Sequence, residues 1–454
     1  MPELRLVPLP QADRIAEEAI PAGFEAQCAP ARHGMKGDIP IDRIVVINDF
    51  SIAKGGGTGL ALLSMKLFRQ LGIPVSFLCG DDGQNPEFAS LGIETVALGG
   101  KHILAGKRQH AAVTGLHNAA AQDMLRRWIA ENDTVRTVYH VHGWSKIMSP
   151  SVFLALAPVA DRSVLHAHDF FLACPNGAFY DYRQQAVCEC RPLSLDCAVR
   201  NCDKRSYGQK LWRLTRSARL KSVLLNRGAP YGRVLLLHEK MASAFLRSGY
   251  PAAMLHPLRN PIVPYCNGRV PAENNRDLFY VGRLEPEKGV EDAVKAASAA
   301  GARLTIIGDG PLAPSLANLG DNVRLLGWLG HDEIAARVRE ARALLMPTRY
   351  PEPFGLVAVE ASQSGIPVIL SDKAYLAEEM AAAGIGIACD TSDIPAFSAA
   401  IRRLLDMPGD DIRTISEKAH KRVVRLSTTP EEWRDALVDH YLSLLVDQTE
   451  RAIC

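Results

Sequence analysis

Residues 343–372 read ALLMPTRYPEPFGLVAVEASQSGIPVILSD and contain one complete unit of the predicted fold. A short apolar run is followed by a loop, by a helical segment that starts near Gly355, and by a second short apolar run. Apolar strands that alternate with helices are typical of a parallel sheet covered by helices. The runs DLFYVGR at 277–283, RLTIIGDG at 303–310 and VRLLGWL at 323–329 extend the alternation toward the N-terminus. The second half of the chain is therefore predicted to form one doubly wound α/β domain.

The first half of the chain shows the same alternation. Its apolar runs are RIVVIND at 43–49, VSFLCG at 75–80, TVYHVHG at 137–143 and SVLHAHD at 163–169. A glycine-rich stretch, KGGGTG, follows the first run and precedes a segment with helical spacing. The fold class is thus predicted to be α/β, with two Rossmann-like, doubly wound domains.

Length supports this division. At 454 residues the chain exceeds one ordinary core and suits two domains of roughly 200 residues each. A stretch rich in Pro and Asn before the second series is typical of a linker. The predicted parts are an irregular N-terminal extension at 1–40, a first domain at 41–262 with a Cys-rich insert at 174–202, a linker at 263–275, a second domain at 276–425, and a C-terminal helix at 426–454 that could cross back to the first domain.

Composition indicates an ordinary globular protein, with 47% apolar residues, 22% charged residues and a formal net charge of +2. The N-terminal residues contain no basic cap before an apolar run, so no secretory signal is predicted. No stretch reaches roughly 18 uninterrupted apolar residues, so no membrane span is predicted either. We therefore expect a cytoplasmic protein.

Candidate binding residues follow the predicted strands, because open α/β sheets bind ligands beyond the carboxyl ends of their strands. Gly55, Gly56 and Gly57 would let backbone N–H groups approach an anion at a helix start, and a plain tight turn is the alternative. Arg283 and Lys288, in GRLEPEKGV, are placed where two cations could clamp a diphosphate. Capping charges at a solvated helix start would give the same pattern.

Two carboxylates in the opening stretch form the strongest candidate site. Glu352 lies in the loop and Glu360 eight positions later on the helix, so both can lie on one helical face. Glu360 is flanked by Val and Ala, where a buried carboxylate without a partner would be costly, so a hydroxyl-rich ligand accounts for it better than solvent. Gly355 and Leu356 fall at the helix start and offer N–H groups to phosphate oxygens.

Five cysteines crowd into the insert, beginning with Cys174. The other four, Cys188, Cys190, Cys197 and Cys202, could hold one structural zinc ion, although their spacing differs from the paired C-x2-C pattern. Disulfides and free thiols are the alternatives, and a reducing compartment favours free thiols.

Residues 204–227 combine basic and apolar residues at helical spacing. Lys210, Arg213, Arg216 and Arg219 recur opposite leucines, which predicts a basic amphipathic helix that attaches the protein to an anionic membrane surface, on the inner face of the membrane. A helix packed on the domain with a solvated basic face is the alternative. A nucleic-acid partner is not expected, because no aromatic stacking platform accompanies the charge.

The motifs of the second half closely resemble those of the retaining GT-B glycosyltransferases in the large group 1 family. The resemblance covers residues 276–425 through GRLEPEKGV, IIGDGPL, VRLLGWL and the E-x7-E element, and the first half resembles the family more loosely. It implies two domains facing a central cleft and transfer of a hexose from a UDP- or GDP-sugar to a carbohydrate or lipid-linked glycan acceptor, without a catalytic metal. A nucleotide-sugar epimerase, a phosphorylase, or a non-catalytic sugar-nucleotide-binding protein of this fold are the alternatives.

The resemblance also implies roles for single residues. Arg283 and Lys288 would hold the donor diphosphate, Glu352 would face the transferring sugar, and Glu360 would bind the ribose hydroxyls. His142 resembles the active-site histidine of this fold, although a histidine with apolar neighbours is commonly a packed core residue. The backbone of Phe354, Gly355 and Leu356 would contact the donor sugar and phosphate. The loop of Gly55, Gly56 and Gly57 would close over the donor. His168 and Asp169 would bind acceptor hydroxyls.

Overall fold

The structure is a computed structural model that describes residues 40–53, 55–106, 108–226, 231–316 and 322–453. The predicted N-terminal extension, apart from its last residue, lies outside the described residues. Within these ranges the chain forms two parallel sheets and one small antiparallel hairpin. The predicted fold class, α/β with two doubly wound sheets, is confirmed.

Seven strands form the first sheet, and two more form the hairpin within the Cys-rich insert. In chain order the strands are β1 (Arg43–Asn48), β2 (Val75–Cys79), β3 (Glu94–Ala97), β4 (Thr137–Val141), β5 (Ser163–Ala167), the hairpin strands β6 (Tyr180–Asp181) and β7 (Ala186–Val187), β8 (Arg233–Leu236) and β9 (Leu255–Pro257). The sheet has the order β3-β2-β1-β4-β5-β8-β9, and every neighbouring pair is parallel. Strands β2, β4 and β5 are buried along their whole length, as expected for a parallel sheet covered on both faces.

Three helices of the first lobe have side-chain caps, and in one of them Ser194 accepts a hydrogen bond from the Cys197 N–H at 3.2 Å. Asn118 accepts a hydrogen bond from the Ala121 N–H at 3.2 Å, and Ser206 accepts one from the Gln209 N–H at 3.2 Å. In chain order the helices are α1 (Gly56–Gln70), α2 (Glu87–Ser90), α3 (Arg108–Thr114), α4 (Ala119–Asn132), α5 (Ser151–Leu156), α6 (Leu195–Val199), α7 (Tyr207–Leu224) and α8 (Met241–Arg247).

The second lobe repeats the winding of the first. Its strands are β10 (Asp277–Val281), β11 (Leu304–Ile307), β12 (Val323–Leu325), β13 (Ala341–Met346), β14 (Val368–Ser371) and β15 (Gly386–Cys389), in the parallel order β12-β11-β10-β13-β14-β15. The helices that follow β9 in the chain are α9 (Val290–Ala299), α10 (Ala313–Leu316), α11 (His331–Arg337), α12 (Leu356–Gln363), α13 (Ala377–Ala382), α14 (Ile394–Asp406), α15 (Gly409–His420) and α16 (Pro430–Ile453). In both sheets the chain begins at a central strand, winds to one edge, and then returns to wind toward the other.

Helix α16 follows the second lobe in sequence but packs on the first. Trp433, Leu437 and Tyr441 are fully buried and share a core with Ile44 of β1 and Phe68 of α1. The rings of Phe68 and Tyr441 lie 5.7 Å apart. The last helix therefore gives the two lobes a second covalent connection. Within the described ranges, no helix has the length and apolar character needed to cross a membrane.

Replacing Leu437 by alanine should lower the free energy of unfolding by about 2–5 kcal/mol, because it leaves a cavity in the first lobe. Urea denaturation followed by tryptophan fluorescence measures the change. Val446 is 56% exposed on the same helix and provides the matched control. Its replacement by alanine should change stability by less than about 0.5 kcal/mol. Equal effects of the two substitutions would contradict the packing of this helix face.

Candidate active site

The two sheets direct the ends of their central strands toward one cavity. Strand order reverses between β1 and β4 in the first lobe and between β10 and β13 in the second. Residues at or just beyond the carboxyl ends of these strands, including Asp49, His142, Gly282 and Thr348, line a cavity of about 540 Å³ between the lobes. Ligands of doubly wound sheets bind at such reversal points. The volume falls within the range of roughly 300–1,000 Å³ that is usual for small-molecule sites.

The glycine loop after β1 lies against the second lobe. Gly55 has a φ of 150°, which residues with a side chain rarely adopt. A Cβ atom on Gly56 would lie 2.7 Å from the Leu356 side chain of the opposite lobe, and one on Gly57 would lie 3.0 Å from the His168 ring. Helix α1 begins here, and its N-cap residue, Gly55, has no side chain that could cap it. The glycines thus allow a close approach of the lobes and leave a helix start facing the cavity.

The second lobe presents a helix start to the same cavity. Helix α12 begins at Leu356, after the left-handed Gly355 with a φ of 71°, and no side chain caps it. Leu356, Gly355 and the buried Phe354 line the cavity. The N-terminus of a helix carries partial positive charge and N–H groups without intrahelical partners. Two helix starts on opposite sides of one cavity therefore favour an anionic ligand.

Cations from both lobes add to this positive field. Arg283 and Lys288 line the cavity from the second lobe, and Lys146 lines it from the first. The Arg283 side chain is 63% exposed and donates a hydrogen bond to Glu285 at 2.9 Å. Lys204 of the first lobe, which the sequence analysis missed, lies 3.4 Å from Glu285. The loop that carries the two predicted cations is therefore also anchored to the first lobe.

Lys288, Tyr350 and Glu352 form a closed hydrogen-bonded group. The Lys288 ammonium lies 2.6 Å from Glu352 and 2.8 Å from the Tyr350 hydroxyl, which donates to Glu352 at 2.7 Å. Burial raises the pKa of Glu352, but the charge and hydrogen bond of Lys288 and the Tyr350 hydroxyl outweigh it, so the pKa is lowered overall. Glu352 therefore stays ionised. The sequence analysis missed Tyr350, which has no charge to draw attention to it.

Glu360 has a different environment from Glu352. It lies on α12, four residues beyond Leu356, and its neighbours are Tyr265 and His331. The rings of these two neighbours lie 5.6 Å apart. Burial raises the pKa of Glu360, and the nearby Tyr265 hydroxyl and His331 offset only part of that rise. The two predicted carboxylates thus have pKa values shifted in opposite directions.

Four histidines form a stack, and three of them, His142, His166 and His168, line the first-lobe side of the cavity. His140 and His142 lie at β4, and His166 and His168 lie at β5. His142 Nδ1 is 2.9 Å from His168 Nε2, and His140 Nε2 is 3.2 Å from His166 Nδ1. Burial lowers the pKa of all four imidazoles, which keeps them neutral. His142 is therefore both a packed residue and part of the cavity lining.

Two aspartates complete the first-lobe side. Asp169 is accessible from the cavity, yet the surrounding protein raises its pKa to about 6. Asp49, which the sequence analysis missed, accepts hydrogen bonds from the N–H groups of Lys146, Ile147 and Met148 at 2.7, 2.9 and 3.0 Å. It fixes the loop that follows His142. Its position at the end of the first strand was a signal that could have identified it.

The sequence predicts an accessible basic face on α7 that attaches to an anionic membrane, with a solvated basic face as the alternative, and in the structure most of this face is not accessible. Lys210 and Arg216 are 1% and 7% exposed, and the Arg213 side chain is 19% exposed. Arg213 pairs with the buried Asp203, and Arg216 lies over the ring of Trp144 at 5.0 Å. These partners draw the basic residues inward. Arg219 is exposed, but it cannot by itself form the predicted membrane-binding face.

The five cysteines of the insert are free thiols in the structure, and four of them are buried. The Lys210 ammonium lies 3.4 Å from Cys197 Sγ and 3.1 Å from Cys202 Sγ. In the described part of the chain, two groups of three potential ligands have their ligand atoms within 4.8 Å of one another, and neither includes a cysteine. The two groups are His140, His142, His166 and His238, Glu239, Glu379. Zinc binding by Cys188, Cys190, Cys197 and Cys202 stays a prediction.

Known proteins resemble this chain in sequence and in structure. The family of glycosyl transferases group 1 matches residues 268–422. Glycogen synthase of Mycobacterium tuberculosis is 38% identical over 151 residues, which are 31% of this chain and 36% of that protein. Sucrose-phosphate synthase of Thermosynechococcus elongatus has a TM-score of 0.62 at 17% identity, over 90% of this chain and 98% of that chain. HepE of Anabaena, solved in complex with UDP and glucose, has a TM-score of 0.61 at 16% identity, over 88% and 99% of the two chains.

These similarities define the fold. The fold is the GT-B fold, because the solved glycosyltransferase structures match across most of the chain. Residues 268–422, which form most of the second lobe, are similar to the family of glycosyl transferases group 1. The aligned region spans about a third of the length of the M. tuberculosis relative.

Replacing Lys288 by methionine should raise the pKa of Glu352, because burial would then be unopposed by the ammonium. At neutral pH the free energy of unfolding should fall by about 2–3 kcal/mol. This is less than for a fully buried ion pair, because the side chains of Lys288 and Glu352 remain 21% and 15% exposed. A carboxylate with a lowered pKa stabilises the folded state above its ordinary pKa, and this contribution is lost as the pH falls through the lowered value. The difference between wild type and variant should therefore shrink at acidic pH.

Urea denaturation over a pH series measures this difference. Arg303→Met provides a control, because Arg303 pairs with Asp277 while its side chain is 73% exposed. This control should have little effect on stability. A stability difference for Lys288→Met that is independent of pH would contradict the proposed charge balance at Glu352.

The zinc hypothesis predicts about one equivalent of zinc per chain after purification under reducing conditions, and a chelator should lower the melting temperature. Metal analysis measures the content. Replacing both Cys188 and Cys190 by serine should abolish binding. Cys389→Ser, which alters a free cysteine outside the insert, should not. Zinc below about half an equivalent, with a melting temperature unaffected by the chelator, would leave the insert as a cluster of free thiols.

Proposed function

We propose that this chain is a retaining glycosyltransferase that moves a hexose from a nucleoside-diphosphate sugar to a carbohydrate or lipid-linked glycan acceptor. The observation that carries the proposal is the convergence of two uncapped helix starts and the cations Arg283 and Lys288 on one cavity between the lobes. A diphosphate is the ligand that this positive field suits best. HepE, which shares the fold, was solved with UDP and glucose, a nucleotide together with a hexose.

The diphosphate would occupy the second-lobe side of the cavity. Arg283 donates one hydrogen bond to Glu285 at 2.9 Å and has most of its side chain exposed. Lys288 is paired with Glu352, and the incoming diphosphate would compete for its ammonium. Both cations would then neutralise the charge that accumulates on the leaving group.

The hexose would lie between Glu352 and His142. In the reaction, the bond from the anomeric carbon to the diphosphate oxygen breaks ahead of attack. The acceptor oxygen then bonds to the same face of the sugar, and its proton passes to a donor phosphate oxygen. Glu352, kept ionised by Lys288 and Tyr350, would stabilise positive charge on the sugar ring. Neutral His142 would hydrogen-bond a sugar hydroxyl, and His168 and Asp169 would contact the acceptor.

The ribose would lie beside Glu360. This carboxylate is set among Tyr265 and His331 rather than beside a cation such as Lys288. A ribose offers two neighbouring hydroxyl donors, which would satisfy the carboxylate oxygens in this half-buried position. The nucleoside and the transferring sugar would thus contact opposite ends of the loop and helix that join Glu352 to Glu360.

The two carboxylates should therefore differ in what their loss costs. Glu360→Gln should mainly weaken donor binding, by about 1–3 kcal/mol for a lost charge-assisted hydrogen bond. Glu352→Gln should chiefly lower kcat, because an interaction with an oxocarbenium-like sugar strengthens in the transition state. Both variants should remain folded.

A panel of UDP- and GDP-sugars, screened for thermal stabilisation, first identifies the donor. Steady-state kinetics and donor calorimetry then compare both variants with Glu378→Gln, a control whose side chain is 80% exposed. Near-wild-type transfer by both Glu352→Gln and Glu360→Gln would contradict the roles proposed for the two carboxylates. The family resemblance would then indicate a shared fold only. A requirement for inorganic phosphate, or turnover of the donor without an acceptor, would instead favour a phosphorylase or an epimerase.

A further inference from the structure

The surface of the Cys-rich insert and the adjoining start of α7 carry a group of exposed apolar side chains. Leu195 and Val199 on α6 are 84% and 72% exposed, and Tyr207 and Leu211 on α7 are 40% and 47% exposed. Each pair is four residues apart and therefore lies on one face of its helix. The Tyr207 hydroxyl donates to the Ala198 carbonyl of α6 at 2.9 Å, which holds the two helices side by side. These four side chains are here called the insert patch.

Arginines accompany the insert patch. The Arg183 guanidinium donates to the Arg205 carbonyl at 3.2 Å, so the hairpin and the segment before α7 are neighbours. Arg200 pairs with the buried Asp181 at 3.6 Å, and Lys204 pairs with Glu285 and Glu287. The other exposed charges of this stretch are Arg183, Arg191 and Arg205 against the acids Glu189 and Asp196. The surroundings of the patch are thus positively charged on balance. This arrangement is independent of Lys210, Arg213 and Arg216 of α7, whose side chains are largely buried.

We propose that the insert patch docks this protein on the surface of an anionic lipid bilayer. Leu195 and Val199 would enter the boundary between headgroups and acyl chains, and the arginines would bind lipid phosphates. Exposed leucine and valine match the apolar acyl chains of such a surface, and arginine matches its anionic phosphates. A second copy of the chain fits less well, because a specific dimer interface uses roughly 20–30 residues from each side. The patch offers four apolar side chains.

The insert patch lies next to the candidate active site along the chain. Tyr207 follows Lys204 by three residues, and the Lys204 ammonium lies 3.0 Å from Glu287 in the loop that carries Arg283 and Lys288. Arg213, two residues after Leu211, lies over Phe171, which lines the cavity. A bilayer at the patch would therefore be close to the cavity and could supply a lipid-linked acceptor. This last step rests on the proposed function, whereas membrane docking does not.

Vesicle flotation of the full chain tests docking. Vesicles contain phosphatidylcholine alone or mixed in equal parts with phosphatidylglycerol, at low and high salt. Wild type should bind the mixed vesicles at low salt and bind them less at high salt. It should not bind the vesicles of phosphatidylcholine alone. The double variant Leu195→Ser and Val199→Ser should bind at least about tenfold more weakly, because two apolar anchors are lost. Val113→Ser with Val135→Ser, at sites 67% and 79% exposed outside the insert, should bind like wild type.

Transfer to a water-soluble acceptor separates docking from catalysis, because the patch variant should keep that activity unchanged. Its melting temperature should also match that of wild type, since both altered side chains are exposed. Absence of binding by wild type, or equal binding by the patch variant and wild type, would overturn the proposal. So would light scattering that finds a wild-type dimer and a monomeric patch variant, since the patch would then bind a second copy. If wild type binds the vesicles but transfers no sugar, the result would count against the proposed function and not against docking.

Discussion

Both sheets are wound in the same order, and this constraint positions everything else at the candidate site. Winding outward in both directions from a central pair of strands leaves a reversal point at the carboxyl edge of each sheet. The two edges share one cavity, so α1 and α12 both direct their N-termini into it. Gly56 allows the approach, because any side chain there would meet Leu356 of the opposite lobe. The positive field of the cavity is thus a property of the backbone before any charged side chain is considered.

The side chains refine that field by balancing charges. Lys288 is held by Glu352 and Tyr350, and Arg283 is held by Glu285, so each cation has a carboxylate that a diphosphate would compete with. The same pairing keeps Glu352 ionised in spite of its burial, whereas the described residues place no comparable cation beside Glu360, and its pKa is raised. Two carboxylates eight residues apart therefore acquire different chemistry from their neighbours. Different roles for them follow from this contrast.

Contacts between the lobes maintain the cavity. Lys204 of the first lobe pairs with Glu287, and Glu379 of α13 bonds His238 and Arg259 at 2.8 and 2.7 Å. Helix α16 adds an apolar connection. Sequence reasoning identified the residues at strand ends, such as His142, because chain order alone places them there. It missed Tyr350, since a tyrosine is recognisable as a positioning group only when its partners are known.

The errors of the sequence analysis have the same physical origin. Helical spacing shows which residues of α7 share a face, but the face that is buried depends on partners elsewhere. Asp203 for Arg213, cysteine sulfurs for Lys210 and tryptophan rings for Arg216 turned the basic face inward. Strand β3 was missed because it is a four-residue edge strand with exposed ends. Its sequence, ETVA, carries little of the apolar signal that marks a central strand.

The central claim is that a donor diphosphate binds between the two helix starts and takes over the cations that now hold carboxylates. A crystal structure of the chain with UDP or GDP, whichever raises the melting temperature more, tests this most directly. The account predicts phosphate oxygens within hydrogen-bonding distance of Arg283 and Lys288 and of the backbone N–H groups at the start of α12. It also predicts ribose hydroxyls at Glu360. A nucleotide bound outside this cavity, or one that leaves Arg283 and Lys288 without phosphate contacts, would contradict it.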